Sequence, residues 1–242
     1  MTNSKHIWRI TAGLLISGSL LFFTGCSDDN DDAEPDPGDW PTDTTTEVEE
    51  VTNPETGKTW MDRNLGASRA ANSSSDAQAF GHLYQWGRAA DGHQERSSGT
   101  TTTLSDSDTP GHGNFIKVPD GDHISEDWRD PQNHDLWQGV NGINNPCPGG
   151  YRLPTKEELE AERQSWSSLD AAGAFDSPLK WPAAGYRNFI NGTIYDAGSD
   201  GFYWTSTAAG QISWIQIFDA TIADEFGYLR ANGASVRCIR ND

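Results

Sequence analysis

Cys147-Pro-Gly-Gly-Tyr-Arg-Leu-Pro-Thr-Lys-Glu-Glu-Leu159 is the stretch on which the fold turns. It joins a cysteine, a turn and a helix start. Thr155 followed three residues later by Glu158 forms a capping box, in which each side chain satisfies the other residue's backbone N–H. Leu159, Trp166 and Leu169 then give a modest apolar stripe, which predicts a helix over 155–169. The partner of this stretch lies at the other end of the chain, in Val236-Arg-Cys-Ile-Arg-Asn-Asp242. Cys147 and Cys238 together predict a final strand stapled back to the loop before that helix.

Working outward, residues 51–65 read as a turn and a strand. Asn53-Pro-Glu-Thr-Gly57 is turn chemistry, and the residues after it alternate around Trp60. Residues 76–86 place Ala77, Phe80, Leu83 and Tyr84 at helical spacing, with Gly87 as a stop, which predicts a first helix. Residues 88–135 are punctuated by Gly, Ser, Thr and Asp throughout, a long irregular segment of the kind that often carries function. The end is strand-rich, with strands expected over 201–207, 212–218 and 235–240 and turns at Asn191-Gly192 and Asn232-Gly233. The expectation is a loop-rich α+β domain with two main helices, short antiparallel strands and a core built on large aromatic rings, for which eight of the chain's ten tryptophans lie in residues 51–242.

The first residues carry an address. Lys5 and Arg9 precede an uncharged run over 10–26 that counts 17 residues, at the bottom of the length needed to cross a bilayer. Basic, apolar, then small is the order of a secretory signal. Phe23-Thr-Gly-Cys26 resembles the lipobox of bacterial lipoproteins, with Phe23 in place of the more usual Leu. That resemblance implies a signal peptide over 1–25, cleavage before Cys26 and lipidation, including palmitate, at Cys26. Its acyl chains would exceed the two-signal threshold for stable anchoring. Ser27 lacks the aspartate that retains many lipoproteins in the inner membrane, so the expected location is the bacterial cell envelope, at the outer membrane. Residues 26–50 hold eleven acids, no basic residue and prolines at 35, 37 and 41, which predicts a disordered acidic tether.

The formal charge of −19 becomes −21 once Lys5 and Arg9 are removed with the signal. The acids of the tether leave the domain itself near −10. Such a surface argues against nucleic acid and anionic lipid as partners.

Six blocks along residues 51–242 carry a family resemblance: Trp60-Met-Asp-Arg-Asn-Leu-Gly66, Leu83-Tyr-Gln-Trp-Gly-Arg88, Asn144-Asn-Pro-Cys-Pro-Gly-Gly-Tyr-Arg-Leu-Pro-Thr155, Ala184-Gly-Tyr-Arg187, Tyr203-Trp-Thr-Ser206 and Ser235-Val-Arg-Cys-Ile-Arg240. In that order they resemble the Fibrobacter succinogenes major paralogous domain. Arg152-Leu-Pro-Thr155 and Val236-Arg-Cys238 are also distantly similar to formylglycine-generating enzymes. Both groups are associated with the C-type-lectin-like fold. The resemblance implies a single domain in which the first and last strands pair and long loops display the working surface. It delivers no activity by itself.

An oxidising, exported location makes the Cys147–Cys238 disulfide the expected state; two free thiols serving catalysis or a metal are the alternative. Formylglycine-generating enzymes need a closely spaced cysteine pair for copper, and no second cysteine lies near Cys238. Five histidines, His82, His93, His112, His123 and His134, fall in the irregular region, but no two lie closer than eleven residues. That spacing lacks the i, i+4 pair or His-x-His of a metal site. Loop carboxylates such as Asp106-Ser-Asp108 and Asp196-Ala-Gly-Ser-Asp-Gly201 suit calcium better, without forming an EF-hand loop. No serine elbow, zinc-protease motif or phosphate loop is present. Arg152, Arg187 and Arg237 are expected to pair with carboxylates and so organise loops.

The reading is a lipid-anchored, non-catalytic binding module with no cofactor and no metal, taking a glycan or another cell-surface protein. Its ligand surface is expected in the loops 88–135 and 187–200. The alternatives are a divergent relative of the formylglycine-generating enzymes and a passive structural lipoprotein.

Overall fold

A computed structural model of the chain describes residues 46–118 and 127–242. The expected signal peptide, Cys26, most of the expected tether, Asp120, Asp122 and His123 lie outside the described residues. Among those described, no helix is long and apolar enough to cross a membrane.

The strands run in chain order as β1 (Glu50–Thr52), β2 (Thr59–Met61), β3 (Tyr84–Gln85), β4 (Thr100–Thr101), β5 (Phe115–Ile116) and β6 (Tyr151–Arg152). Two helices follow, α1 (Lys156–Gln164) and α2 (Ala171–Asp176). Then come β7 (Tyr186–Arg187), β8 (Ile194–Tyr195), β9 (Gly201–Ala209), β10 (Ile212–Phe218), β11 (Ala223–Leu229), β12 (Gly233–Ala234) and β13 (Ile239–Arg240). The result is a mixed α+β, loop-rich architecture of small sheets. One has the order β1-β2-β13-β6, a meander is β11-β10-β9, a third is β3-β12-β7-β8, and β4 pairs with β5 in parallel.

The opening stretch behaves as its chemistry dictates. The Thr155 hydroxyl accepts from the Glu158 N–H, and the Glu158 carboxylate accepts from the Thr155 N–H at 2.9 Å. The same carboxylate holds Arg152 in a bidentate pair at 2.7 and 2.8 Å. Cys147 and Cys238 form a disulfide with Cα atoms 5.9 Å apart. The last strand pairs with β2 through Ile239 and Trp60, and with β6, so it is the second strand that meets the last one; β1 is its hairpin neighbour.

The predicted helix over 76–86 is not formed. A single 3-10 turn, Ala77–Ala79, ends at Gly81, whose φ of +65° no continuing helix adopts. A Cβ there would lie 2.4 Å from the Leu65 carbonyl. His82 and Leu83 instead donate their N–H groups to Leu65 and Gln94, and the chain passes straight into β3. The predicted helix over 155–169 stops at Gln164, and Asp170 caps a separate short helix, α2, by accepting from the Gly173 N–H. The strand expected over 235–240 is reduced to β13 plus a bridge from Ser235 to Tyr203. In contrast, β11 went unrecognised in the sequence, where two acids interrupt its alternation.

Tryptophan rings fill two main clusters. One packs Trp86, Trp137 and Trp204 around the disulfide, and the other packs Trp60, Trp166 and Trp181 between α1 and the meander. Buried indole N–H groups need acceptors, and distant backbone carbonyls supply them: Trp86 donates to Thr205, Trp204 to Tyr84 and Trp128 to Trp86, all within 2.9 Å. Trp166 and Trp181 both donate to the buried Glu162 carboxylate.

Short strands leave many carbonyls without ladder partners, and buried arginines collect them. Arg237 donates to the Leu179 carbonyl at 2.9 Å and to the Asn64 side chain while its guanidinium lies over Trp181. Arg187 donates to the Gly192 and Ser98 carbonyls and lies over Phe115. These two therefore organise loops through carbonyls and aromatic faces, not through the expected carboxylates. Burial pulls both guanidinium groups down to about 10, which still leaves them charged at neutral pH.

Candidate functional site

The two loops named in the sequence fare differently. Within the described part of 88–135, Arg88, Asp91 and His93 turn inward, whereas Asp106, Asp130, His134 and Asp135 stay exposed. Arg88 is fully buried and binds Asp91 at 2.7 Å together with the Asn114 and His112 carbonyls. His93 is also buried. Its Nε2 accepts from the Gln85 N–H at 3.0 Å, so Nδ1 carries the proton and donates to Asp91 at 2.6 Å. Burial, reinforced by the Arg88 charge, pushes His93 down to about 3. Burial works to raise Asp91, but His93 and Arg88 outweigh it and hold the carboxyl at about 2. An imidazole whose second nitrogen is spent on a backbone N–H is a structural strut and has no lone pair left for a general base.

His112 and His134 are engaged elsewhere. Nδ1 of His112 accepts from the Asn114 N–H, and Nδ1 of His134 accepts from Arg230 at 2.8 Å. Among the described residues, no three His, Cys, Asp or Glu side chains converge as a metal site.

The 187–200 loop opens outward instead. It leaves β7 at Arg187, turns through Gly192 at a φ of +75°, and returns as β8. Tyr186 and Tyr195 face each other across this hairpin with ring centroids 5.8 Å apart, stacked at 29°. The Tyr186 ring also meets Phe202 at 4.7 Å, and Tyr228 lies 5.9 Å from Phe202 and 6.1 Å from Tyr186. Phe226 stands two residues before Tyr228 on β11 and so shares its face. Tyr195 and Phe226 keep 41% and 40% of their surface exposed. The two hairpins thus present a strip of aromatic rings, Tyr195, Tyr186, Tyr228 and Phe226, backed by Phe202 and Trp204 in the core.

Polar groups border the strip. Asn191 donates to the Tyr195 hydroxyl at 2.9 Å. Asp196 holds a left-handed conformation, φ +59°, and its carbonyl accepts from the N–H groups of Ser199 and Asp200. Burial, and then repulsion from Asp200, raises the Asp196 carboxyl. Burial also raises the Tyr186 and Tyr228 hydroxyls, with the charge of Asp196 adding to both. Among the described residues, neither Asp196 nor Asp200 forms an ion pair, in contrast to Glu225 of β11, which binds Lys156 at 2.8 Å.

The chain matches no family model, no curated protein and no solved structure.

Of the site residues named from the sequence, Cys147 and Cys238 are brought together, and Cys26 lies outside the described residues. Tyr228 and Phe226 were missed. The signal available for them was Phe226-Gly-Tyr228, two aromatic residues at strand spacing on a segment that also holds Asp224 and Glu225.

Hollows elsewhere are less well equipped. One of about 370 Å³ is walled by Val48, Leu65, Ala90, Pro146 and Pro148 with Tyr84. Another of about 590 Å³ lies between the 55–58 turn and α1 and is lined by Glu55, Lys58, Glu157 and Gln164.

Proposed function

We propose that the chain is a lipid-anchored bacterial envelope protein whose domain, C-type-lectin-like and related to the Fibrobacter succinogenes major paralogous family, is a non-catalytic module that binds glycans. The observation that carries the binding part is the aromatic strip. Pyranose rings present an apolar C–H face, and exposed tyrosine and phenylalanine rings held on strands offer a flat, rigid, low-entropy surface to stack against. The bordering Asn191, Asp196 and tyrosine hydroxyls supply hydrogen bonds to sugar hydroxyls. The fold reading is supported by the loop-rich α+β layout, the pairing of β2 with the terminal β13, and the disulfide between the helix-entry loop and the chain end. Anchoring at Cys26 in the outer membrane rests on the lipobox-like Phe23-Thr-Gly-Cys26.

A binding role is favoured over the oxidase chemistry of formylglycine generation because the two domain sulfurs are tied to each other, so neither is a thiolate available to copper. The test is a glycan array probed with the full chain in detergent micelles, wild type beside the Tyr195→Ala/Phe226→Ala double variant. Glycan signals that the double variant loses are expected. A wild-type chain with no signal would leave the passive structural reading in possession.

A further inference from the structure

We infer that the aromatic strip selects glycans carrying free amino groups over their N-acetylated and acidic counterparts. This rests on the reading that the strip takes a glycan, and it goes further by assigning the ligand's charge.

Negative charge at the two ends of the strip is handled differently. Along the meander, carboxylates are answered: Glu225 binds Lys156, and Asp224 lies 3.8 Å from Arg163. At the Tyr195 end no such partner appears. Asp196 and Asp200 sit four positions apart in one tight turn, joined by the Asp200 N–H to Asp196 carbonyl bond at 3.0 Å, and among the described residues they have no ion pair. The one cation of that hairpin, Arg187, points inward to Ser98.

The rings beside these carboxylates add to the field. The π face of a tyrosine carries negative potential, so an ammonium group gains both from the ring and from a nearby carboxylate. Asp196 follows Tyr195 directly, and the Asp200 carbonyl accepts at 2.8 Å from the N–H of Gly185, the neighbour of Tyr186, so both acids lie at the Tyr186–Tyr195 end of the strip. Burial raises the Asp196 carboxyl and repulsion from Asp200 adds to it; that repulsion is relieved when a cation sits between the two acids. An acidic sugar meets the opposite situation, because its carboxylate adds a third like charge. Calcium is a poorer occupant, since two carboxylates fall well short of the six to eight oxygens it takes.

The experiment titrates the full chain in detergent with three tetrasaccharides: glucosamine, N-acetylglucosamine and galacturonate. It is run at about pH 6, where an amine is protonated and an ordinary carboxylate is ionised, with and without a calcium chelator. The amine tetramer is expected to bind about fivefold more tightly than its N-acetylated form, in keeping with two exposed charge pairs. That ratio should fall toward one at about 1 M salt, where screening acts over about 3 Å. It should also fall toward one in the Asp196→Asn/Asp200→Asn variant. Asparagine tolerates the left-handed conformation at 196, so the turn is retained. Equal binding of the amine and N-acetylated tetramers by the wild type would overturn this inference and leave the glycan reading standing. Preference for galacturonate, or binding abolished by the chelator, would also overturn it. No binding of any tetramer would overturn both.

Discussion

The segments 88–118 and 187–200 are drawn from the same amino acids, yet they do opposite things. Both are rich in Gly, Asn, Asp, Ser and Thr, and both read from sequence as display loops. In the first, Arg88, His93 and Asp91 form a buried chain of charge-assisted hydrogen bonds that also pins the carbonyls of residues 112 and 114. In the second, only Arg187 turns inward, and the side chains that remain, Tyr195 with Asp196 and Asn191, face out. Loop composition alone therefore does not mark a working surface. The first knits a charged trio, Arg88, Asp91 and His93, into the interior, whereas the second turns in one cation, Arg187, on its own Gly192 carbonyl and leaves the Tyr195 ring exposed.

The contrast can be broken most severely at Arg88. Replacing it with methionine keeps most of the side-chain volume but leaves the Asp91 carboxylate without its cation and two carbonyls without their donor. We expect a loss of about 3–5 kcal/mol, the range for removing one member of a buried pair. Thermal melting measures the loss, and hydrogen exchange should show amides across 88–118 losing protection more than those of 187–200. Equal loosening of both segments would erase the distinction.

The His93 strut makes a pH prediction of the next size. Its folded value of about 3 lies below the ordinary 6.5, so on acidification the unfolded chain takes up the proton first. Stability is therefore complete above about pH 6.5 and falls progressively toward pH 3. The loss is on the order of 3 kcal/mol by pH 4. Asp91, held at about 2, adds a further loss as pH drops below its ordinary value of 3.8. Denaturant titrations from pH 7 to pH 4 should show this slope in the wild type and a flatter one in His93→Gln. Glutamine can still accept from the Gln85 N–H, but it takes up no proton. Parallel profiles would show that His93 is not the buried neutral group described.

At the open segment the expected stability effect is the smallest. Tyr195→Ala removes a ring that is 41% exposed, and its cost should stay within about 1 kcal/mol. A cost of about 3 kcal/mol or more would make Tyr195 a core residue and the strip a packing feature.

How much of this was legible depended on sequence distance. The Thr155–Glu158 box is contained within one helical turn, and it was readable because both partners are local. The disulfide was readable because residues 51–242 hold two cysteines and the first residues read as an export signal. The false helix over 76–86 had the right apolar spacing. It failed because Gly81 lies against Leu65 and the N–H groups of residues 82 and 83 are taken by residues 65 and 94, contacts that periodicity cannot register. Arg187 and Arg237 were recognised as loop organisers, but their acceptors are carbonyls that no side-chain pattern reveals. The strip was half visible. Tyr195 lies in the expected loop, whereas Tyr228 reaches Tyr186 only because β11 folds back beside β10.

The central claim is that the working surface lies on the aromatic strip and not in the longer irregular segment. Residue-resolved NMR of the full chain in detergent, titrated with the glucosamine tetramer, tests it directly. The account predicts the largest shifts at Tyr186, Tyr195, Phe226 and Tyr228, with 88–118 unmoved. Shifts confined to 88–118, or to the hollow at Val48 and Tyr84, would contradict it.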